Sequence, residues 1–165
     1  MKAVVYACMA DGLEEVECLA AVDVMIRSGI TVKLVSMTGN PVVTGAHGIR
    51  ITADLLWEES QPDEADCIFL PGGMPVKAVS EERRVAAICA APSVLGGLGL
   101  LKGKKATCYP GFEDKLTGAE YTSQGVVTDG LVTTARGLGY ALDLGLEISG
   151  LLVGRETAAK VKAAI

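Results

Sequence analysis

An α/β fold around a mainly parallel sheet is predicted by three features of this 165-residue chain. Short apolar runs of strand length recur, at residues 3–8, 31–36, 67–70 and 85–89. Longer segments with helical patterning lie between or after them, which is the alternation that builds parallel sheets. Glycine-bearing or polar turns follow several of the runs, where open α/β sheets bind their ligands.

Taken in order, residues 3–8 read as a buried strand and Met9-Ala10-Asp11-Gly12 as a loop. Residues 14–28 read as a helix. Val16, Ala20 and Val24 step by four, Leu19, Val22 and Ile26 flank them, and Asp23 interrupts that apolar face. Glu14, Glu15 and Glu17 lie near its first turn, where acids suit the helix dipole, and Gly29 ends it. Residues 31–36 form a second strand and Thr38-Gly39-Asn40-Pro41 a turn. Residues 42–44 and 49–51 read as short strands around a loop carrying Gly45 and His47. Residues 54–66 are mostly polar apart from Leu55-Leu56-Trp57. Residues 67–70 form a strand ending in Pro71-Gly72-Gly73, and the strand at 85–89 leads into a helix to about residue 101. Residues 102–105 make a basic turn, 106–108 a strand, and Tyr109-Pro110-Gly111 breaks it. A helical turn at 112–116 and short strands at Tyr121 and 126–127 follow, and then Asp129-Gly130 turns tightly into a strand at 131–134. Helices at 138–153 and 155–164 complete the chain, with no internal repeat or linker.

That length suits one domain, residues 1–165. Half the residues are hydrophobic and only 4% aromatic, so the core is aliphatic. A net charge of -5 argues against nucleic-acid or anionic-membrane partners. No apolar run approaches the roughly 20 residues of a membrane span, and the start of the chain lacks a signal-peptide pattern. Five scattered cysteines, Cys8, Cys18, Cys67, Cys89 and Cys108, have no CxxC pair, which fits reduced thiols in a cytoplasm. A single histidine, His47, builds no multi-histidine metal site, and it reads as a solvated loop residue.

The chemistry concentrates in Val85-Ala86-Ala87-Ile88-Cys89-Ala90-Ala91-Pro92-Ser93. Strand, turn and proline-started helix put Cys89 at the turn, facing free N–H groups and a positive helix end. Both are expected to favour the thiolate, the reactive form. The alternative is a small buried hydrophobe, and Cys8, Cys18, Cys67 and Cys108 read that way. Gly72 and Gly73 let the backbone approach a ligand, and with the Ala90 N–H they make an oxyanion hole. The proton partner is Glu17, which lies among apolar neighbours and can tilt inward. A carboxyl buried there has a raised pKa and stays protonated. Glu14 and Glu15 read as a solvated helix start.

The set Asp11-Gly12-Leu13-Glu14-Glu15-Val16-Glu17, Leu70-Pro71-Gly72-Gly73, Ala86-Ala87-Ile88-Cys89-Ala90-Ala91-Pro92 and Thr133-Thr134-Ala135-Arg136-Gly137-Leu138-Gly139 resembles the DJ-one/ThiJ/PfpI superfamily, and its DJ-one/ThiJ branch most closely. The resemblance implies a flavodoxin-like α/β sandwich with helices on both faces, related to the class I glutamine amidotransferase domain, and a homodimer. It implies Cys89 as nucleophile, Glu17 as a protonated partner, and Gly72, Gly73 and Ala90 as backbone donors. Three departures stand out. Glu120 occupies a position where some members carry a histidine. Ala90 replaces the histidine that follows the cysteine in the protease-like branch, which points away from peptidase activity. The segment 74–84 is too short for the helix the family holds there, as though by deletion or a missing segment.

The activity so implied is cofactor-free and metal-free conversion of α-oxoaldehydes, methylglyoxal to lactate or glyoxal to glycolate, with deglycation of glycated groups as its extension. The alternatives are an oxidative-stress sensor, in which Cys89 becomes a sulfinate held by Glu17, and a chaperone.

Overall fold

The computed structural model describes residues 2–72 and 83–165. The shortened crossover expected at 74–84 falls almost wholly outside the described residues, as does Gly73.

Strand β1 (Val4–Met9) leads into helix α1 (Glu15–Arg27) and strand β2 (Thr31–Ser36). A small antiparallel pair follows, β3 (Val42–Thr44) with β4 (Arg50–Thr52). Then come β5 (Leu55–Leu56), β6 (Cys67–Leu70), β7 (Arg84–Ile88) and helix α2 (Pro92–Gly97). The two-residue strands β8 (Lys105–Ala106) and β9 (Glu120–Tyr121) pair with each other. Strands β10 (Val126–Asp129) and β11 (Val132–Ala135) precede helices α3 (Ala141–Val153) and α4 (Arg155–Lys162).

The main sheet runs β10-β11-β7-β6-β1-β2-β5 and is parallel except for the β10–β11 hairpin. Both faces are covered, so its strands read as continuous apolar runs. Alternation along β1 sorts the core. Val5, Ala7 and Met9 face one cluster with α1 and α3 residues, and Tyr6 and Cys8 face another with Leu95, Leu101 and Cys108. This is the expected flavodoxin-like α/β layering. No helix among the described residues is long and apolar enough to cross a membrane.

Helix α1 starts because the Glu14 side chain accepts the Glu17 N–H at 2.6 Å, and it stops at Gly29, whose φ is +84°. Its core face is Cys18, Ala21, Val22, Val24 and Met25 together with Glu15 and Glu17. The stripe read from sequence is corrected, since Val16, Leu19 and Ile26 are exposed. Packing against α3 turned the helix so that the two carboxylates face inward.

Other boundaries also move. Helix α2 stops at Gly97 rather than near residue 101, because the Gly96-Gly97 pair and the positive-φ Gly99 break it. The strand expected at 106–108 is confined to Lys105–Ala106. The helix expected from residue 138 opens with a 3-10 turn at Leu138–Tyr140. Leu55–Leu56, the apolar pair in an otherwise mostly polar stretch to which the sequence assigned no strand, forms a sheet edge against β2.

Gly145 sits at the α1–α3 crossing. A Cβ there would lie 2.8 Å from the Ala21 carbonyl oxygen and 2.9 Å from the Val24 Cβ. Overpacking costs roughly 1–3 kcal/mol and outweighs the ~1 kcal/mol that alanine gains in a helix. Gly145→Ala is therefore expected to lower stability by about 1 kcal/mol and Tm by about 2–4 °C in a thermal melt. An unchanged Tm would mean that the crossing yields freely.

Candidate active site at a strand-to-helix elbow

Cys89 follows β7 with φ of 63°, the left-handed region, alone in this among the described non-glycine residues. An L-residue there costs roughly 1–2 kcal/mol, so its surroundings must hold it. They do so through the main chain. The Cys89 N–H donates to the Ala135 carbonyl at 3.0 Å, and the Tyr109 N–H donates to the Cys89 carbonyl at 2.8 Å. With both backbone groups bound, the side chain projects at the carboxyl ends of β6, β7 and β11.

Glu17 reaches the same point from α1. The Glu14 N–H donates to the Gly72 carbonyl at 3.0 Å, which ties the helix start to the end of β6. Glu17 is only 2% exposed. Its carboxyl lies between two glycines. A Cβ on Gly72 would collide with Glu17 Oε2 and stand 2.9 Å from the Cys89 Cβ, and a Cβ on Gly137 would lie 3.7 Å from Glu17 Oε1. Glu17 Oε2 is buried with no hydrogen-bond partner among the described residues. The structure thus brings Cys89, Glu17 and Gly72 together, with Ala90 next in the chain. Gly73 lies outside the described residues.

Electrostatics corrects one expectation. Cys89 is not driven toward thiolate. Burial, then the Glu17 charge and a hydrogen bond to Glu17, push it up to about 12, and the Ala90 N–H opposes them. Helix α2 spans only Pro92–Gly97 and begins beyond the thiol, so the expected dipole effect does not dominate. Glu17 is itself raised, by burial first, against the opposing Cys89 thiol and the N–H groups of Leu138 and Gly72. Two neighbouring groups that both resist charge titrate as a pair, sharing one proton when the other is lost. The other four thiols are buried, and burial pushes Cys8, Cys18 and Cys67 to about 12 and Cys108 to about 11. Cys18 therefore lies in the core rather than lining the site.

Sequence reasoning missed two features. The first is Glu15, expected to be solvated but only 2% exposed. Its carboxylate accepts the His47 N–H at 2.8 Å and faces His47 Nδ1 at 2.7 Å. That clamps the loop between β3 and β4 onto α1, and Gly45 is needed there because a Cβ would strike the Glu15 carboxyl. Glu14, Glu15 and His47 place potential ligand atoms within 4.8 Å of one another. Glu15 is already engaged with His47, and Glu14 holds the Glu17 N–H through Oε2 while its Oε1 stands 3.9 Å from His47 Nδ1. The second feature is Tyr109. Its ring edge lies 3.2 Å from where a Gly137 Cβ would stand, and Glu17 Oε1 lies 3.7 Å from that same position. The aromatic-Pro-Gly break at the sheet's carboxyl end was the signal available.

The Glu15–His47 clamp has a pH signature. The His47 hydrogen bond holds Glu15 down at about 2, and Glu15 raises His47 above its usual 6.5. A depressed carboxyl stabilises above its unfolded value, 4.5, and loses that contribution as pH falls toward 2. A raised histidine stabilises fully below 6.5 and loses its contribution as pH rises through the folded value. The stability gap between wild type and His47→Ala should be widest between those two values and narrow on either side. Urea midpoints across pH test this, and a gap independent of pH would contradict it.

Known proteins match this chain. A family model described as the DJ-1/PfpI family matches residues 2–150. Protein DJ-1 homolog B of Arabidopsis thaliana is 36% identical over 170 residues, covering 93% of this chain. The match covers 39% of that relative, so the chain spans less than half its length. Deglycase PfpI of Pyrococcus furiosus is 34% identical over 143 residues, covering 77% of this chain and 86% of the relative. The crystal structure of Drosophila melanogaster DJ-1beta superposes with a TM-score of 0.92 at 31% identity, covering 99% of this chain and 97% of that one.

Proposed function

The chain belongs to the DJ-1/PfpI family, and from that premise we propose that it is a cofactor-independent cysteine enzyme acting on reactive α-oxoaldehydes, with methylglyoxal converted to lactate. One observation carries the reading: a thiol on a strained elbow, φ 63°, against a carboxyl only 2% exposed. A relative named as a deglycase supports chemistry of this class.

The raised thiol assigns Glu17 its first task. As Sγ adds to the aldehyde carbon, the Glu17 carboxylate takes the thiol proton, and the carbonyl π pair moves to oxygen. Glu17 then gives that proton to the oxygen, which leaves a hemithioacetal and a free carboxylate. The carboxylate removes the C1 proton as the C2 carbonyl π pair moves to its oxygen, giving an enediolate, and returns that proton to C2 while the C1 hydroxyl proton passes to the C2 oxygen, which leaves a thioester of lactate on Cys89. Water cleaves the thioester, releasing lactate and restoring the thiol. The N–H groups of Gly72 and Ala90 are the donors for the oxyanions along this path. No step calls for a cofactor, and deglycation would use the same addition on a glycated group. Ala90 after the nucleophile leaves the protease-type dyad unbuilt. All five cysteines are free, which fits a reducing compartment such as the cytoplasm. The exposed Val16, Leu19 and Ile26 of α1 offer apolar surface for a homodimer.

The test is lactate formation from methylglyoxal by the purified chain, with Cys89→Ser as control. Turnover absent from the variant supports the reading, and a folded wild type without turnover overturns it. A second reading then takes its place, favoured by the unpartnered Glu17 Oε2 beside the thiol. Two equivalents of peroxide would oxidise Cys89 to the sulfinate with loss of two waters, and a protonated Glu17 would donate to it. Addition of two oxygens to Cys89, seen by mass spectrometry, would mark that sensor role.

A further inference from the structure

Tyr109 is built into the candidate site in a way the reaction scheme does not use. Its base is fixed by the N–H bond to Cys89 and by its own carbonyl, which accepts the Phe112 N–H at 3.1 Å. Its ring lies along Gly137, with Cδ2 at 3.2 Å and Cε2 at 3.8 Å from the position of a Cβ there. Glu17 Oε1 is 3.7 Å from that same position, so Gly137 is a neighbour shared by the ring and the carboxyl. Yet the residue is 50% exposed. A large aromatic surface anchored at its base and bare outside is a wall awaiting a flat neighbour.

We propose that Tyr109 is a specificity-determining residue that favours α-oxoaldehydes whose ketone carries an aryl substituent over methylglyoxal. This rests on the reading of Cys89 and Glu17 given above. With the aldehyde carbon on Sγ and its proton at Glu17, the ketone substituent passes the carboxyl toward the ring. A methyl group covers little of that ring. A phenyl group stacks on it or meets its edge, and the gain is made equally in ground and transition states.

The test compares phenylglyoxal with methylglyoxal in wild type, Tyr109→Phe and Tyr109→Ala. Wild type is expected to show the higher kcat/KM for phenylglyoxal. Tyr109→Ala is expected to cut the phenylglyoxal-to-methylglyoxal ratio of kcat/KM about 5–10-fold, through KM for phenylglyoxal. Tyr109→Phe should keep the ratio. A ratio unmoved in Tyr109→Ala overturns the proposal. A readout without turnover separates its failure from failure of the reaction scheme. In Cys89→Ser protein, calorimetry should find mandelate bound more tightly than lactate, with the preference lost on adding Tyr109→Ala. If wild type turns over neither aldehyde, the scheme falls and this binding ratio alone decides. A preference that Tyr109→Ala removes upholds the aromatic wall, and equal affinities overturn it.

Discussion

Cys89→Ser is expected to reduce kcat/KM for methylglyoxal by on the order of 10³ or more, because the hydroxyl cannot form the adduct on which every later step depends. Glu17→Gln keeps the shape of the side chain but removes the proton acceptor, and the expected loss is about 10²–10⁴. The two residues act as one unit, so the double variant should be no worse than Cys89→Ser alone. Each variant should melt within a few degrees of wild type. The pH profile adds a sharper reading. In the proposed reaction Glu17 takes the thiol proton, so wild-type kcat/KM should rise with pH through the raised Glu17 value, above the ordinary 4.5. Glu17→Gln should lose that limb. An acid limb that survives in Glu17→Gln would mean that another group accepts the proton.

Gly72→Ala should be nearly as damaging to activity, and it should cost stability as well. The added methyl meets Glu17 Oε2 and stands 2.9 Å from the Cys89 Cβ. Neither neighbour can retreat easily. Glu17 is held by α1, whose start is bonded to the Gly72 carbonyl itself, and Cys89 is held on both sides by backbone bonds. Overpacking of this kind costs roughly 1–3 kcal/mol. Displacing the carboxyl by about 1 Å costs about 10² in rate. Denaturant midpoints and lactate assays check both. Adding Glu17→Ala to Gly72→Ala should recover stability and leave activity lost. Full activity in Gly72→Ala would show that the reaction does not need Glu17 where it sits.

The strands of the sheet centre were legible because burial on both faces writes them as unbroken apolar runs, and β1, β2, β6 and β7 each lie within or close to the residues expected. The proline that starts α2 was visible too, though Gly96-Gly97 ends the helix earlier than the apolar pattern suggested. What local pattern could not carry was rotation and distance. Val16, Leu19 and Ile26 look like core residues until α3 decides which face of α1 is covered. Glu15 looks like a dipole-compensating surface acid until His47, 32 positions away, folds onto it. Leu55–Leu56 is too short to announce a strand, and only pairing with β2 makes it one. Cys89, Glu17 and Gly72 were read from spacing and resemblance. The direction of the Cys89 titration was not, because it depends first on burial and then on a charge brought in from α1.

The site is also a late product of folding. Its parts come from residues 17, 72, 89, 109 and 137–138, spread over most of the chain. The sheet beneath it joins β1 to β6 across 62 positions, Val5 opposite Cys67, and β7 to β11 across 47, Val85 opposite Val132. Contacts so distant in sequence are slow to close. A chain emerging from the ribosome exposes Cys89 well before β11 exists to receive its N–H, so during that interval the thiol is an ordinary one, free of the burial and the carboxyl that later raise it. Reactivity and folding are thereby coupled, and electrophiles should label nascent or truncated chains at Cys89 with the unselective kinetics of a free cysteine.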